Sequence, residues 1–194
     1  MMRRLIPCAA GLLLASCSAE IHVETAPFTQ TVPVTSVLAP VYAEVALDLP
    51  EETRDLSVVT VNTVQAALTV VNPSQVLTLQ MGARLSFTGQ AEPGTPRTYT
   101  EANLPPYYAA STLLLSPRAF APASRTPLTV DSPALKQALG QRRVWLIVEN
   151  TVTRTSGLPT GGLPVNIVLE DIIFSANVTK AFPGLGGALE VGGL

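Results

Sequence analysis

Between residues 77 and 88 apolar and polar side chains alternate. Leu77, Leu79, Met81, Ala83, Leu85 and Phe87 share one parity, and Thr78, Gln80, Arg84, Ser86 and Thr88 share the other. A period of two puts the apolar set on one face of a strand and the polar set on the other, whereas a helix would scatter both around its axis. The same signal recurs. Val41, Ala43, Val45, Leu47 and Leu49 oppose Tyr42, Glu44 and Asp48, which predicts a half-buried strand. Residues 56–61 and 65–71 are rich in Val, Thr and Leu, with Asn62-Thr63 as the turn between them and Asn72-Pro73 ending the second. Further strands are predicted over residues 112–115, 144–152 and 165–179.

The last of these carries an irregularity. Val165, Ile167 and Leu169 have odd parity, while Ile172, Phe174, Ala176 and Val178 have even parity. A strand keeps one buried face across such a change only by inserting an extra residue, so a β-bulge or bend is predicted at Glu170-Asp171. A single short helix is expected near 132–140. Asp131 or Ser132 can cap it, Pro133 suits its first turn, Leu135 and Leu139 share a face, and Gly140 can end it. Many short strands joined by Pro-rich connections describe an all-β, antiparallel β-sandwich.

Residues 1–17 follow a different rule. Arg3-Arg4 precede an apolar run from Leu5 to Ala15, which has the length and polarity of a secretion signal. It falls short of the ~20 residues of a transmembrane helix. Leu14-Ala15-Ser16-Cys17 then resembles the lipobox of bacterial lipoproteins. That resemblance implies cleavage before Cys17 and acylation of Cys17 through a diacylglyceryl thioether. It also implies residence in the cell envelope, at the outer membrane where the cell has one, because Ser18 stands where an inner-membrane retention signal places Asp. A cleaved, unlipidated leader is the alternative reading. The expected organisation is a signal peptide over 1–16, a lipidated N-terminus and tether over 17–40, the sandwich over 41–182, and a Gly-rich tail over 183–194. Within the tether, residues 32–38 could instead join the sheet as an edge strand, where proline is tolerated.

Composition narrows the chemistry. The chain has two cysteines and one histidine. Cys8 leaves with the signal and Cys17 takes the lipid, so the mature domain has neither disulfide nor free thiol. His22 alone cannot supply the usual zinc sets or a Ser-His-Asp or Cys-His arrangement. Neither metal nor cofactor is expected. Without Arg3 and Arg4, ten basic side chains face fourteen acidic ones and form no patch, which argues against nucleic acid as a partner.

Four local features could carry function. Glu170-Asp171, joined by Glu149 if its strand lies alongside, is the nearest approach to the carboxylate pair of a glycoside hydrolase. Exposed positions at a bulge also favour polar residues, and that is the preferred reading. Asp48, Glu51, Glu52 and Asp55 cluster around Pro50, but lack the alternating, Gly-containing loop of a calcium motif. Asn177-Val178-Thr179 matches a glycosylation acceptor, a pattern common by chance. Residues 89–108 form a long connection holding Pro93, Pro96, Pro105 and Pro106 and three of the chain's four tyrosines, Tyr99, Tyr107 and Tyr108. Those tyrosines either present a recognition surface or fold over an open end of the sandwich as a lid.

The stretch from Ala67 through Asn72-Pro73 to Arg84-Leu85-Ser86-Phe87 is similar to the Asn-Pro-containing strand pair of late-embryogenesis-abundant type 2 domains, which are small β-sandwiches without established catalysis. It covers about 20 residues, of generic strand-turn-strand pattern, and transfers no functional residue. The resulting expectation is a non-enzymatic, lipid-anchored envelope protein that meets a membrane through its lipid and an envelope protein through the tyrosine loop. The alternatives are a glycan or small-ligand binding module and a hydrolase using Glu149, Glu170 and Asp171.

Overall fold

The structure is a computed structural model that describes residues 18–35, 39–49, 51, 60–154 and 165–181. Two antiparallel sheets form a sandwich. The first contains β1 (Ser18–Glu24), β2 (Phe28–Val34), β4 (Thr60–Asn72), β8 (Ser124–Asp131) and β10 (Val165–Ala181). The second contains β3 (Val41–Asp48), β5 (Leu77–Ser86), β6 (Arg97–Tyr99), β7 (Thr112–Phe120) and β9 (Arg143–Arg154), in the order β6-β3-β9-β5-β7. The helix α1 (Pro133–Ala138) links β8 to β9 and is capped as the sequence predicts, Ser132 accepting from the Ala134 amide. Gly140 just beyond it has φ +84°, open to glycine at no steric cost.

In the first sheet β10 is central. Its one edge pairs with β4; its other edge pairs first with β2 (Val165↔Val34 to Ile172↔Phe28) and then with β1 (Ser175↔Glu24 to Ala181↔Ser18). The predicted bulge lies just before this change of partner, near the end of the pairing with β2. The register shifts between Leu169 and Ile172, and Asp171 takes a left-handed φ of +52°. Leu169 and Ile172 are consequently both buried, on one continuous face.

The expected tether over 17–40 needs correction: residues 18–24 and 28–34 are strands of the first sheet, with Val32 and Val34 fully buried, and over residues 32–34 the alternative of an edge strand is the one the fold adopts. Pro33 and Pro127 occupy edge strands and stay within the pairing of β2 with β10 and of β8 with β4, whereas Pro117 in the edge strand β7 lies where the register with β5 shifts, between Leu115↔Ala83 and Arg118↔Met81. The expected turn at Asn62-Thr63 is also absent. Thr63 pairs with Asn177 inside one long strand, and Asn62 Nδ2 donates to Thr179 Oγ1 on its polar face. The tail from residue 183 lies outside the described residues.

β3 differs instructively from its predicted half-burial. Every residue from Val41 to Leu47 is buried. Val41, Ala43, Val45 and Leu47 point between the sheets, among Val34, Leu79, Met81, Val148, Ile167 and Leu169. Tyr42, Glu44 and Ala46 point the other way, under a third layer made by the segment 87–111 on either side of β6, which is itself the edge strand beside β3.

Candidate functional site

That third layer contains the tyrosine loop, and Glu44 is its foundation. Glu44 is 0% exposed. Its Oε1 accepts from the backbone amides of Gln90 (2.6 Å) and Ala91 (2.5 Å), and its Oε2 accepts from the Tyr107 hydroxyl (2.5 Å) and, more distantly, from Tyr99 (3.4 Å). A carboxylate removed from water needs donors on both oxygens, and the loop supplies them. Burial, followed by the bond to Glu44, pushes the Tyr107 phenol above its ordinary range. It stays a protonated donor at any physiological pH.

Around this latch the loop is fastened at both ends. At its start, the Trp145 indole N–H donates to the Ala91 carbonyl (3.0 Å). Gly89 lies so close to that indole that a Cβ there would meet Trp145 Cδ1 and Cγ at 2.2 Å, so only glycine fits. At its end, Arg84 donates to Ser111 Oγ (2.8 Å) and to the Ser111 carbonyl (2.6 Å). The same guanidinium lies 5.1 Å from the Tyr108 ring centre, and Tyr108 meets Tyr42 edge-to-face at 5.3 Å. Burial, with the Glu149 charge beside it, pushes the Tyr42 phenol up to about 12.

The three tyrosines therefore act as fasteners. Tyr99 and Tyr107 commit their hydroxyls to Glu44, and Tyr108 packs against Tyr42 and Arg84. The layer covers the outer face of the second sheet, not an open end of the sandwich. Its outward surface is carried by residues such as Pro93, Thr95 and Glu101, all exposed. Glu44 was read from the sequence only as a polar position on a strand; a single charge amid Val41–Leu47 was the available signal that something covers that face.

Glu149, Glu170 and Asp171 do not converge. Glu149 is on β9 of the second sheet, whereas Glu170 and Asp171 are on β10 of the first, so β9 is not the neighbour of β10 that a carboxylate trio requires. Glu149 lines a polar depression of about 270 Å³ with Gln80, Gly82, Pro117 and Thr151, and brings no second carboxylate there. Glu170 instead forms an ion pair with Arg125. Among the described residues no group of three or more His, Cys, Asp or Glu side chains could hold a metal. Asp48 of the acidic cluster is bridged by Arg143 (2.6 Å), while Glu52 and Asp55 lie outside the described residues. Cys17 also lies outside them.

Asn177 of the acceptor motif sits inside β10. Its Nδ2 donates to Thr63 Oγ1 (3.1 Å), and its Oδ1 is 2.8 Å from His22 Nδ1. Between the sheets a void of about 70 Å³ is lined by Met81, Leu115, Leu128, Leu135 and Phe174 among other apolar side chains. No polar group lines it to hold a water.

No protein-family model matches the chain. No curated protein matches it in sequence. Among solved structures it is similar to one of turnip yellow mosaic virus, at 10% identity over 94% of this chain and 89% of that one, with a TM-score of 0.30. It is also similar to a structure of infectious bursal disease virus, Gx strain, at 12% identity over 90% of this chain and 44% of that one, with a TM-score of 0.28. Likeness at that level carries no functional argument. What the geometry defines is an all-β sandwich with a third layer locked onto one sheet.

Proposed function

We propose that this is a lipid-anchored protein of the bacterial cell envelope whose sandwich serves a structural or protein-interaction role without catalysis. The observation that carries the reading is Leu14-Ala15-Ser16-Cys17, placed directly after the Arg3-Arg4 and apolar segment. Each buried methylene of an acyl chain contributes ~0.8 kcal/mol, so a diacylglyceryl group on Cys17 holds the domain at a bilayer without any transmembrane span. No helix among the described residues is long and apolar enough to cross a membrane. The non-catalytic part of the reading is supported by carboxylates dispersed over two sheets and by tyrosines held as hydrogen-bond donors. The partner-facing surface is the outer side of the residue 87–111 layer, which its buried latch keeps in one shape and so prepares for binding. Labelled palmitate tests the anchor: the full chain should incorporate it in a bacterial host, and Cys17→Ser should abolish incorporation. An unmodified Cys17 thiol in wild-type protein released to the medium would sink the reading. Crosslinking in native membranes, with and without Tyr107→Phe, tests the interaction surface.

A further inference from the structure

The first residue after Cys17 is already part of the sheet. Ser18 pairs with Ala181 at the end of β10, and Cys17 is one peptide unit away, about 3.8 Å between Cα atoms. A lipid on Cys17 thus has no spacer behind it. The end of the sandwich that carries Ser18 must sit at the bilayer surface.

Topology says what else lies at that end. The first sheet ends there with the starts of β1 and β4 and the close of β10. β4 runs away from it, turns at residues 73–76, and β5 returns, so the close of β5 and the beginning of β7 mark the same end of the second sheet. The large hydrophobic side chains most exposed among the described residues are Ile21 (39%), Phe87 (37%) and Leu113 (46%). All three belong to this half. Ile21 is three residues along β1, about 10 Å from its start. Phe87 directly follows β5, and Leu113 is the second residue of β7, opposite Arg84. They sit on β1, beyond β5 and on β7, so they span the end across both sheets. Single exposed side chains of this kind are ordinary on a soluble domain; what suits an interface with lipid is that all three share the end that an acyl chain on Cys17 would hold at the bilayer.

Resting on the acylation reading, we infer that this end is a second, protein-borne contact with phospholipid. Ile21, Phe87 and Leu113 dip into the interfacial region and fix the tilt of the domain, while the turn at 73–76 points away from the membrane.

Ile21→Cys, Phe87→Cys and Leu113→Cys, each made singly, with Gln75→Cys in the distal turn as reference, test this in the processed, acylated chain, from which Cys8 has left with the signal. Cys17 carries no thiol once acylated, so each new cysteine can be labelled selectively with an environment-sensitive fluorophore. In vesicles of phosphatidylethanolamine and phosphatidylglycerol, shallow nitroxide lipids should quench positions 21, 87 and 113 several-fold more than position 75. Equal quenching at all four sites, in protein that has incorporated palmitate, overturns the orientation and leaves the anchor standing. Absence of palmitate overturns both. Circular dichroism of each variant confirms the fold; all four positions are exposed, so little change is expected.

Discussion

At the level of single residues, Glu44 is held by four donors whose contributions differ in a measurable way. Tyr107 donates at 2.5 Å to a buried carboxylate, whereas Tyr99 lies at 3.4 Å, near the limit of a hydrogen bond. Tyr107→Phe should therefore cost about 1.5–3 kcal/mol in denaturant unfolding, as for a bond to a charged group, and Tyr99→Phe well under that. Gly89→Ala should cost about 1–3 kcal/mol by overpacking, with a changed Trp145 fluorescence because the indole must move. His22 offers a pH test. Its Nδ1 faces Asn177 Oδ1 and its Nε2 faces Glu24 Oε1 at 3.0 Å, so both nitrogens donate only when the ring is protonated. These bonds, Asn177 first, raise its pKa above 6.5. The sign follows: the contribution is complete below the unfolded value and is lost as pH rises through the raised folded pKa. An NMR titration should find that raised value, return it toward normal in Asn177→Ala, and show faster amide exchange across β1 above it. None of these partners was legible beforehand, because each joins side chains far apart in sequence.

At the level of elements, the bulge in β10 was legible because a parity change along one strand is a local signal. Its role was not: β10 exchanges β2 for β1 beside the bulge, where Thr25 and Phe174 bond to one another through backbone and hydroxyl. Deleting Asp171 should restore a straight register and turn Ile172 and Val178, now 5% and 3% exposed, toward solvent. Burying each such side chain contributes about 1.5–3 kcal/mol, so the deletion should abolish cooperative unfolding in a thermal melt. Asn72-Pro73 was read as a strand ending, and it is one. Asn72 is fully buried and donates to the carbonyls of Leu77, Phe120 and Ala121, tying the β4–β5 turn to the end of β7. Strand β8 escaped notice because Pro127 interrupts an otherwise alternating run, Thr126, Leu128 and Val130 inward against Arg125, Pro127 and Thr129 outward. At an edge that proline is harmless.

For the whole molecule, stability should be distributed unevenly. β3 and β9 are interior strands of a sheet covered on both faces, while β1 and β8 are edges whose residues are mostly exposed or half-buried. Hydrogen exchange should accordingly be slowest in β3 and β9, near the global unfolding free energy, and fastest in β1. Similar protection in β1 and β3 would contradict the layered packing. An acylated Cys17 would give that gradient a direction, since the least protected strand is the one beside the lipid.

Alternation of apolar and polar residues determined, from the chain alone, that this is a β-sandwich with one helix, and a parity change located its bulge. Those are properties of neighbours in sequence, where the pleat itself imposes the period. Tertiary structure alone decided that residues 18–24 and 28–31 join the sheet, that Glu44 is buried beneath the loop of residues 87–111, and that Glu149 lies in a different sheet from Glu170. The physical reason is that a strand's pattern records which of its sides is apolar, while what covers each side depends on segments that only the folded chain brings together.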